Sequence, residues 1–131
     1  MDSSDREPIY VFNIDESYFF THYFARTDIF SELQFYYNDE EYRFEVPEED
    51  FPRVLELLEE NHYKPIRVED IAEFAVVKDQ DTEHADILRN SVLHWSRDGD
   101  NFFVMQSPET VEQAVQQGAS RLEDTDLVLG L

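Results

Sequence analysis

Residues 102–118 read FFVMQSPETVEQAVQQG, and this stretch decides the class of the fold. Its first part, residues 102–106, is apolar and aromatic, as in a buried strand. Ser107 then stands where a helix is capped, and Pro108 takes the first helical position, where no N–H is needed. Apolar residues follow at helical spacing until Gly118 ends the run. The stretch therefore predicts a strand followed directly by a helix.

The same alternation extends toward the N-terminus. Residues 48–61 (EEDFPRVLELLEEN) place apolar side chains at helical positions i, i+3, i+4 and i+7, with acidic residues at the positive end. Residues 74–78 predict a strand. Residues 82–96 predict a further helix that begins at a Thr82 cap and ends at Gly99. The inward face of that helix would carry Ala85, Leu88, Val92 and Trp95.

The first 46 residues leave two elements open. Residues 9–14 are β-branched and aromatic and predict a strand. Residues 17–25 (SYFFTHYFA) carry aromatic pairs at i,i+4 and favour a short helix, although the same residues have high strand propensity. A helix over 28–37 is the alternative to a hairpin over 33–46. The hairpin is favoured because its apolar face would pair Tyr37 with Tyr42, Phe35 with Phe44 and Leu33 with Val46.

Helices separated by single strands predict an α+β fold. We expect a two-layer sandwich in which a mixed sheet carries helices on one face, similar in its alternation to the ferredoxin-like arrangement. Residues 1–8 predict a disordered acidic tail. Residues 9–122 predict a single domain, and residues 123–131 predict a C-terminal tail whose apolar residues could dock on the domain.

The composition excludes several classes of function. The chain has 131 residues, a net charge of −21 and no cysteine, which excludes disulfide frameworks, thiolate metal sites and cysteine nucleophiles. No apolar run approaches the ~20 residues of a membrane helix, and the first residues lack the regions of a signal peptide. We therefore expect a cytoplasmic protein without a membrane partner. Direct binding of nucleic acid is not expected either, because the basic residues form no footprint.

The charge is best explained by the solvent. At low ionic strength, 21 uncompensated charges repel one another and destabilise a compact chain, whereas molar salt shortens the Debye length to about 3 Å. Only Lys64 and Lys78 are lysines, while eight basic residues are arginines. This composition resembles that of proteins from salt-loving archaea, which implies a salty cell, with K⁺ or Na⁺ at the surface, and no particular family. The alternative is an acidic mimic of nucleic acid that inhibits a basic partner.

No catalytic template fits the chain. It lacks a glycine-rich phosphate loop and a nucleophile elbow. Its four histidines include no pair at i,i+3 or i,i+4, the spacings that would place two metal ligands on one helix face. We therefore expect no cofactor, no metal and no catalytic residue.

Aromatic residues concentrate in the first third of the chain, with 13 between Tyr10 and Phe44. They favour a protein interface, with a second copy as a homodimer or with another protein, because Tyr and Phe are enriched at such surfaces. The sequence thus predicts an interaction or regulatory module. The expected interface residues are Tyr36, Tyr37, Arg43, Arg89 and Trp95. The alternative is a small ligand-binding domain or enzyme, whose pocket would be lined by Phe19, Phe20, His22 and Tyr23.

Overall fold

A computed structural model describes residues 6–24, 27–79 and 84–130. The chain divides into two compact units, Met1–Val68 and Glu69–Leu131, and each is described by itself. The first contains a five-stranded sheet and the second a four-stranded sheet, each with helices. The expected α+β class is confirmed. The single domain expected over 9–122 stays a prediction.

The first unit is built on a mixed sheet. The elements in chain order are β1 Glu7–Ile14, β2 Ser17–Phe20, α1 Thr27–Leu33, β3 Tyr37–Asn38, β4 Arg43–Pro47, α2 Phe51–Glu60 and β5 Tyr63–Arg67. The strands lie in the order β3-β4-β2-β1-β5, in which β1 and β5 are parallel and the other pairs antiparallel. A 3-10 turn, Gln34–Tyr36, joins α1 to β3.

Helices α1 and α2 cover one face of this sheet. Every second residue of a strand points to the same face of a sheet. On the helix-covered face these residues are Ile9 and Val11 of β1 and Phe44 and Val46 of β4. Phe44 is fully buried and contacts four other aromatic rings. The helices contribute Ile29, Leu33, Phe51, Val54 and Leu58 to the same cluster. All seven tyrosines of the chain belong to this unit.

The second unit is built on an antiparallel sheet of four strands. Its elements are β6 Ala75–Asp79, α3 Ala85–Arg89, β7 Ser91–Arg97, β8 Asp100–Met105, α4 Pro108–Gln116 and β9 Ser120–Arg121. The strands lie in the order β7-β8-β6-β9. The only tryptophan of the chain, Trp95, lies on β7. Two further 3-10 turns, Ile71–Phe74 and Leu122–Asp124, flank the sheet.

Both faces of the second sheet carry packed clusters. On one face, Phe103 and Met105 pack with Val76 and with residues of α3 and α4. On the other face, Phe102 packs with Ala75, Val77 and Leu122. Trp95 and Leu129 cover this second cluster, and the guanidinium of Arg97 donates to the carbonyl of Val128. Thus part of the segment 123–131 lies against the sheet.

Helices α2 and α4 form where the sequence predicts them. Helix α4 begins with a reciprocal cap, in which Ser107 Oγ accepts from the Thr110 N–H at 3.2 Å and Thr110 Oγ1 accepts from the Ser107 N–H at 3.0 Å. Pro108 occupies the first turn. Helix α2 likewise carries its proline in the first turn. At α4 the cap agrees with the apolar spacing, and at α2 the first-turn proline agrees with it, so local signals suffice.

Two of the predicted helices are wrong in whole or in part. Residues 17–25 were expected to form a helix, but Ser17–Phe20 form strand β2. A two-residue turn at Asp15 and Glu16 returns the chain alongside β1. The expected helix over 82–96 ends at Arg89, and β7 follows it because this segment pairs with β8. Gly99 therefore lies in a hairpin turn and does not cap a helix. Thr82 and Ala25 lie outside the described residues.

The hairpin over 33–46 is replaced by a helix and a much shorter hairpin. Residues 27–36 are helical, close to the alternative helix over 28–37. Only Tyr37 and Asn38 pair with β4, and Tyr37 lies opposite Phe44 where Phe35 was expected. At the N-terminus, β1 already begins at Glu7, within the segment expected to be a tail, while residues 1–5 lie outside the described ranges.

Candidate functional site

A shallow, open cleft of about 440 Å³ lies at the β3 edge of the first unit. It combines aromatic rings with carboxylates, a pairing that suits recognition of cationic groups. Its walls are formed by the 3-10 turn, by β3 and its loop, and by part of β4. The lining residues are Phe35, Tyr36, Tyr37, Asn38, Asp39, Glu40, Glu45 and Pro47.

The end of α1 explains why an apolar ring projects at this place. Ile29 and Leu33 are buried on the inner side of the helix, and the 3-10 turn then changes the direction of the chain. Phe35 consequently faces away from the core and is 87% exposed. Its ring contacts only the edge of Tyr36 among the ring contacts described, with centroids 5.3 Å apart. Exposure of a whole phenyl ring is costly in water, so this ring is a candidate contact for a ligand.

The loop after β3 is held by one side chain. Asn38 Oδ1 accepts from the N–H groups of Glu40 at 3.0 Å and Glu41 at 3.2 Å, which forms an Asx turn. Tyr42 closes the loop with a positive φ of 58°. The loop thereby places Asp39 and Glu40 at the rim of the cleft.

Tyr36 joins the cleft to the start of α2. Its hydroxyl donates to Asp50 Oδ2 at 3.1 Å. Desolvation, this hydrogen bond and the charge of the carboxylate raise the pKa of Tyr36, while the Arg53 guanidinium acts in the opposite direction. The phenol therefore stays protonated and acts as a fixed donor.

A charged network lies beside the cleft. Arg43 Nε donates to Glu45 Oε2 at 2.8 Å, and Asn38 Nδ2 donates to the same oxygen at 3.0 Å. The Arg43 guanidinium also lies 4.9 Å from the centroid of the Phe19 ring. Glu45 is thus held in place by two donors, while Asp39 and Glu40 at the rim are exposed. The lining contains three carboxylates and no cationic side chain.

The structure brings together three of the expected interface residues. Tyr36 and Tyr37 line the cleft, and Arg43 contacts Glu45 in its wall. Tyr37 also contacts the core through Phe44, with ring centroids 4.9 Å apart. Arg89 and Trp95 belong to the second unit. Arg89 lies 3.6 Å from Asp86, and Trp95 stacks on Phe102 with centroids 5.5 Å apart.

The four residues expected to line a pocket lie in different environments. Phe19 lies under Arg43, and Phe20 is buried against Phe44. Tyr23 is 85% exposed. None of these three residues, nor His22, is among those that line the cleft.

His22 is half-buried between aromatic rings. Its ring lies edge-on to Phe24 and Tyr63, and its Nε2 atom is 3.6 Å from Glu7 Oε2. Burial lowers the pKa of His22, and the charge of Glu7 partly offsets this effect. The imidazole is therefore mainly neutral at neutral pH.

The sequence analysis missed Phe35, Asp39, Glu40 and Glu45 as members of one site. Phe35 was placed inward by the hairpin register, whereas the helical spacing of Ile29 and Leu33 leaves position 35 on the outer side. That spacing is the signal that could have found it. No local pattern indicated that Asp39 and Glu40 would come close to Glu45.

Among residues 6–24, 27–79 and 84–130, no three His, Asp or Glu side chains converge in a way that could hold a metal ion. None of the helices within these ranges is both long and apolar enough to cross a membrane. Comparison of the chain with protein-family models, with curated proteins and with solved structures finds no match.

Proposed function

We propose that this chain is a non-catalytic protein-interaction module whose cleft at β3 binds a cationic segment of a partner protein. The observation that carries the proposal is the almost fully exposed ring of Phe35 beside the exposed carboxylates of Asp39 and Glu40. The partner segment would present arginine or lysine side chains in an extended conformation.

The chemistry of the cleft supports a cationic ligand. A guanidinium or ammonium group over the face of Phe35 gains a cation–π interaction worth roughly 0.5–2 kcal/mol. Asp39 and Glu40 at the rim can accept charge-assisted hydrogen bonds from the same group. Tyr36 and Tyr37 form amphipathic walls, as at many protein interfaces.

The same chemistry disfavours a second copy of the chain as the occupant of the cleft. A copy would bring further carboxylates against Asp39, Glu40 and Glu45, since the chain carries 31 acidic and 10 basic residues. Like charges placed together at an interface reduce affinity. A partner of opposite charge avoids this repulsion.

Titration with a labelled peptide of alternating arginine and glycine tests the proposal. We expect saturable binding in about 1 M KCl, where long-range attraction is screened and only contacts within a few Å contribute. Amide NMR signals of residues 35–40 should shift on binding. A peptide of alternating glutamate and glycine should not bind.

Paired variants separate the cleft from the general acidity of the surface. Phe35→Ala should weaken binding of the arginine peptide by about 2- to 30-fold, the equivalent of one cation–π contact. Tyr23→Ala is the matched control, because Tyr23 is equally exposed but does not line the cleft. Equal loss in the two variants, or binding that shifts no signal from the cleft, would overturn the proposal.

We further propose that the module works in the cytoplasm of a high-salt cell, with K⁺ or Na⁺ near its carboxylates. The net charge of −21 supports this proposal. The melting temperature, followed by circular dichroism, should rise steeply from about 0.1 M to about 3 M KCl, because the Debye length falls to about 3 Å. A melting temperature independent of KCl would contradict adaptation to salt.

A further inference from the structure

Strand β7 forms one edge of the sheet in the second unit. It pairs with β8 on one side, from Ser91 to Arg97. Among the described residues no strand pairs with its other side. The edge is seven residues long, whereas the opposite edge strand, β9, has two. From Leu93 onward this edge presents a row of backbone donors and acceptors to a partner.

The turn between β7 and β8 shows which backbone groups point outward. Asp98 and Gly99 have φ values of 54° and 86° and form a two-residue turn of the I′ kind. In such a hairpin the residues flanking the turn, Arg97 and Asp100, form a hydrogen-bonded pair. By alternation, Trp95 also directs its N–H and C=O toward β8. His94 and Ser96 therefore direct theirs to the open side.

From Leu93 to Arg97, strand β7 lacks the usual protections of a strand edge. Natural edge strands carry proline, lysine, inward-pointing charges or bulges that prevent pairing with another chain. Residues 93–97 contain no proline, lysine or acidic residue, and the irregularity of β7 lies before Leu93. The side chains of His94 and Ser96 are exposed. Among the described residues the edge is therefore unprotected from Leu93 to Ser96, and the C-terminal segment approaches the strand at the Arg97 side chain.

The charge pattern indicates what the occupant is. Two copies that each carry −21 repel each other wherever carboxylates meet. Residues 89–97 form nine consecutive positions without an acid, and they include Arg89, His94 and Arg97. At this edge two acidic copies can approach without opposing carboxylates. The edge thus suits a second copy, in contrast to the acid-lined cleft of the first unit.

We propose that two copies of this chain pair antiparallel along β7, with Trp95 of one copy opposite Trp95 of the other. In this register His94 of each copy lies opposite Ser96 of the other. The outward N–H and C=O groups of these residues form four hydrogen bonds across the twofold axis. The two four-stranded sheets become one sheet of eight strands. The inference goes beyond the cleft and does not depend on it.

The side chains on one face of the strand reinforce this register. Trp95 stacks on Phe102 at an interplanar angle of 5°, and the Arg97 guanidinium lies 4.5 Å from the centroid of the same ring. Leu93 and Trp95 are both half-buried in the single chain. Opposed Trp95 residues lie at a pair that exchanges no hydrogen bonds, where side chains approach most closely. Pairing would therefore cover apolar area that one chain leaves in water.

Sedimentation in about 3 M KCl, where repulsion between copies is screened, tests the proposal. We expect a concentration-dependent equilibrium between one and two copies. Ser96→Pro removes an outward N–H from each copy and should raise the dissociation constant about tenfold or more, as two lost hydrogen bonds imply. Ser96→Ala is the matched control, because it keeps the N–H and should leave the constant unchanged.

A cross-linking experiment tests the register without relying on proline. The chain has no cysteine, so His94→Cys and Ser96→Cys each introduce a single thiol. A mixture of the two variants should form a disulfide-linked dimer faster than either variant alone, because position 94 of one copy lies opposite position 96 of the other in the proposed register. Circular dichroism verifies that each variant is folded.

A chain that stays single in 3 M KCl up to millimolar concentration overturns the proposal. A dimer that forms equally well in Ser96→Pro, while that variant is folded, overturns it too. Cross-linking of His94→Cys with itself at the rate of the mixture overturns the register and with it the proposed interface.

Discussion

The two units bury their sheets in different ways. In the first unit an aromatic cluster fills the space between the sheet and helices α1 and α2. In the second unit smaller clusters, largely aliphatic on the helix side, lie on both faces. Fifteen aromatic residues belong to the first unit and four to the second. The first unit has more rings than its core encloses, and its largest exposed hydrophobic residues, Tyr23, Phe35 and Tyr42, are aromatic.

The edge strands of the two sheets differ in length and in the acidic residues beside them. Strand β3 is two residues long and is followed by an acidic loop that Asn38 holds in place. Strand β7 is seven residues long and free of acids. A highly acidic chain thus presents one edge that suits a cationic ligand and another that suits a copy of itself. The position of carboxylates along an edge, more than the total charge, distinguishes the two.

The difference between the two cores predicts the largest changes in the free energy of unfolding. Phe44→Ala removes contacts with four rings, while Phe103→Ala removes a ring packed mostly against aliphatic side chains. Each should lower the free energy of unfolding by about 3–5 kcal/mol. Phe44→Ala should lie at the upper end, because each aromatic pair adds about 0.5–1.5 kcal/mol.

Urea unfolding in about 3 M KCl, followed by circular dichroism, measures both core variants. A larger loss of unfolding free energy for Phe103→Ala than for Phe44→Ala would contradict the stronger contribution of ring contacts in the first unit. Phe44→Leu isolates that contribution, because leucine keeps most of the apolar volume and removes only the ring contacts.

Substitutions in the two hairpin turns should change the free energy of unfolding by smaller amounts, with one variant stabilising and the other destabilising the protein. Asp15 and Glu16 adopt φ values of 52° and 66°, while the corresponding turn of the second unit has Gly99 at 86°. A side chain in the left-handed region costs about 1–2 kcal/mol. Glu16→Gly should therefore stabilise the protein by up to about 1 kcal/mol, and Gly99→Ala should destabilise it by a similar amount.

The same unfolding experiment measures the turn variants. A Cβ at Gly99 would meet no atom within 4 Å, so any loss there comes from the backbone and not from a clash. Glu16→Ala is the control for loss of the charge alone. Stabilisation by the alanine variant equal to that by the glycine variant would show that charge repulsion, and not φ, is relieved.

The smallest expected effect is the pH dependence of stability that comes from His22, the half-buried histidine of the first unit. Burial holds the pKa of His22 below its usual 6.5, so the unfolded chain takes up this proton first as the pH falls. The free energy of unfolding should therefore decrease as the pH falls through and below about 6.5. His22→Gln should reduce this slope. His94→Gln, at an exposed position of the second unit, is the control, and an equal change in both variants would contradict the assignment.

Local signals predicted much of the fold. Ser107 and Pro108 marked the start of α4, and the apolar spacing of α2 agreed with its proline in the first turn. The segment 91–97 was misassigned because Ala85, Leu88, Val92 and Trp95 also satisfy helical spacing. The stronger signal was the Asp98–Gly99 pair, a favoured hairpin turn, followed directly by an apolar strand.

The site could be predicted only in part. Tyr36 and Tyr37 were expected at an interface, and they line the cleft. The turn at Asp15 and Glu16 contains no glycine, so no turn signal indicated a hairpin between β1 and β2. The sequence also did not indicate that β2 would lie beside β4, which brings the Phe19 ring under Arg43. Contacts of this kind depend on strand order, which pairing across the whole sheet determines.

The distribution of chromophores gives the protein two built-in optical reporters. Every tyrosine belongs to the first unit, and the sole tryptophan stacks on Phe102 in the second. Selective excitation of the indole therefore follows the second unit alone, while the near-ultraviolet absorption of the phenols follows the first. Comparing the two signals in the unmodified protein shows whether the units melt together or one after the other, with no label attached.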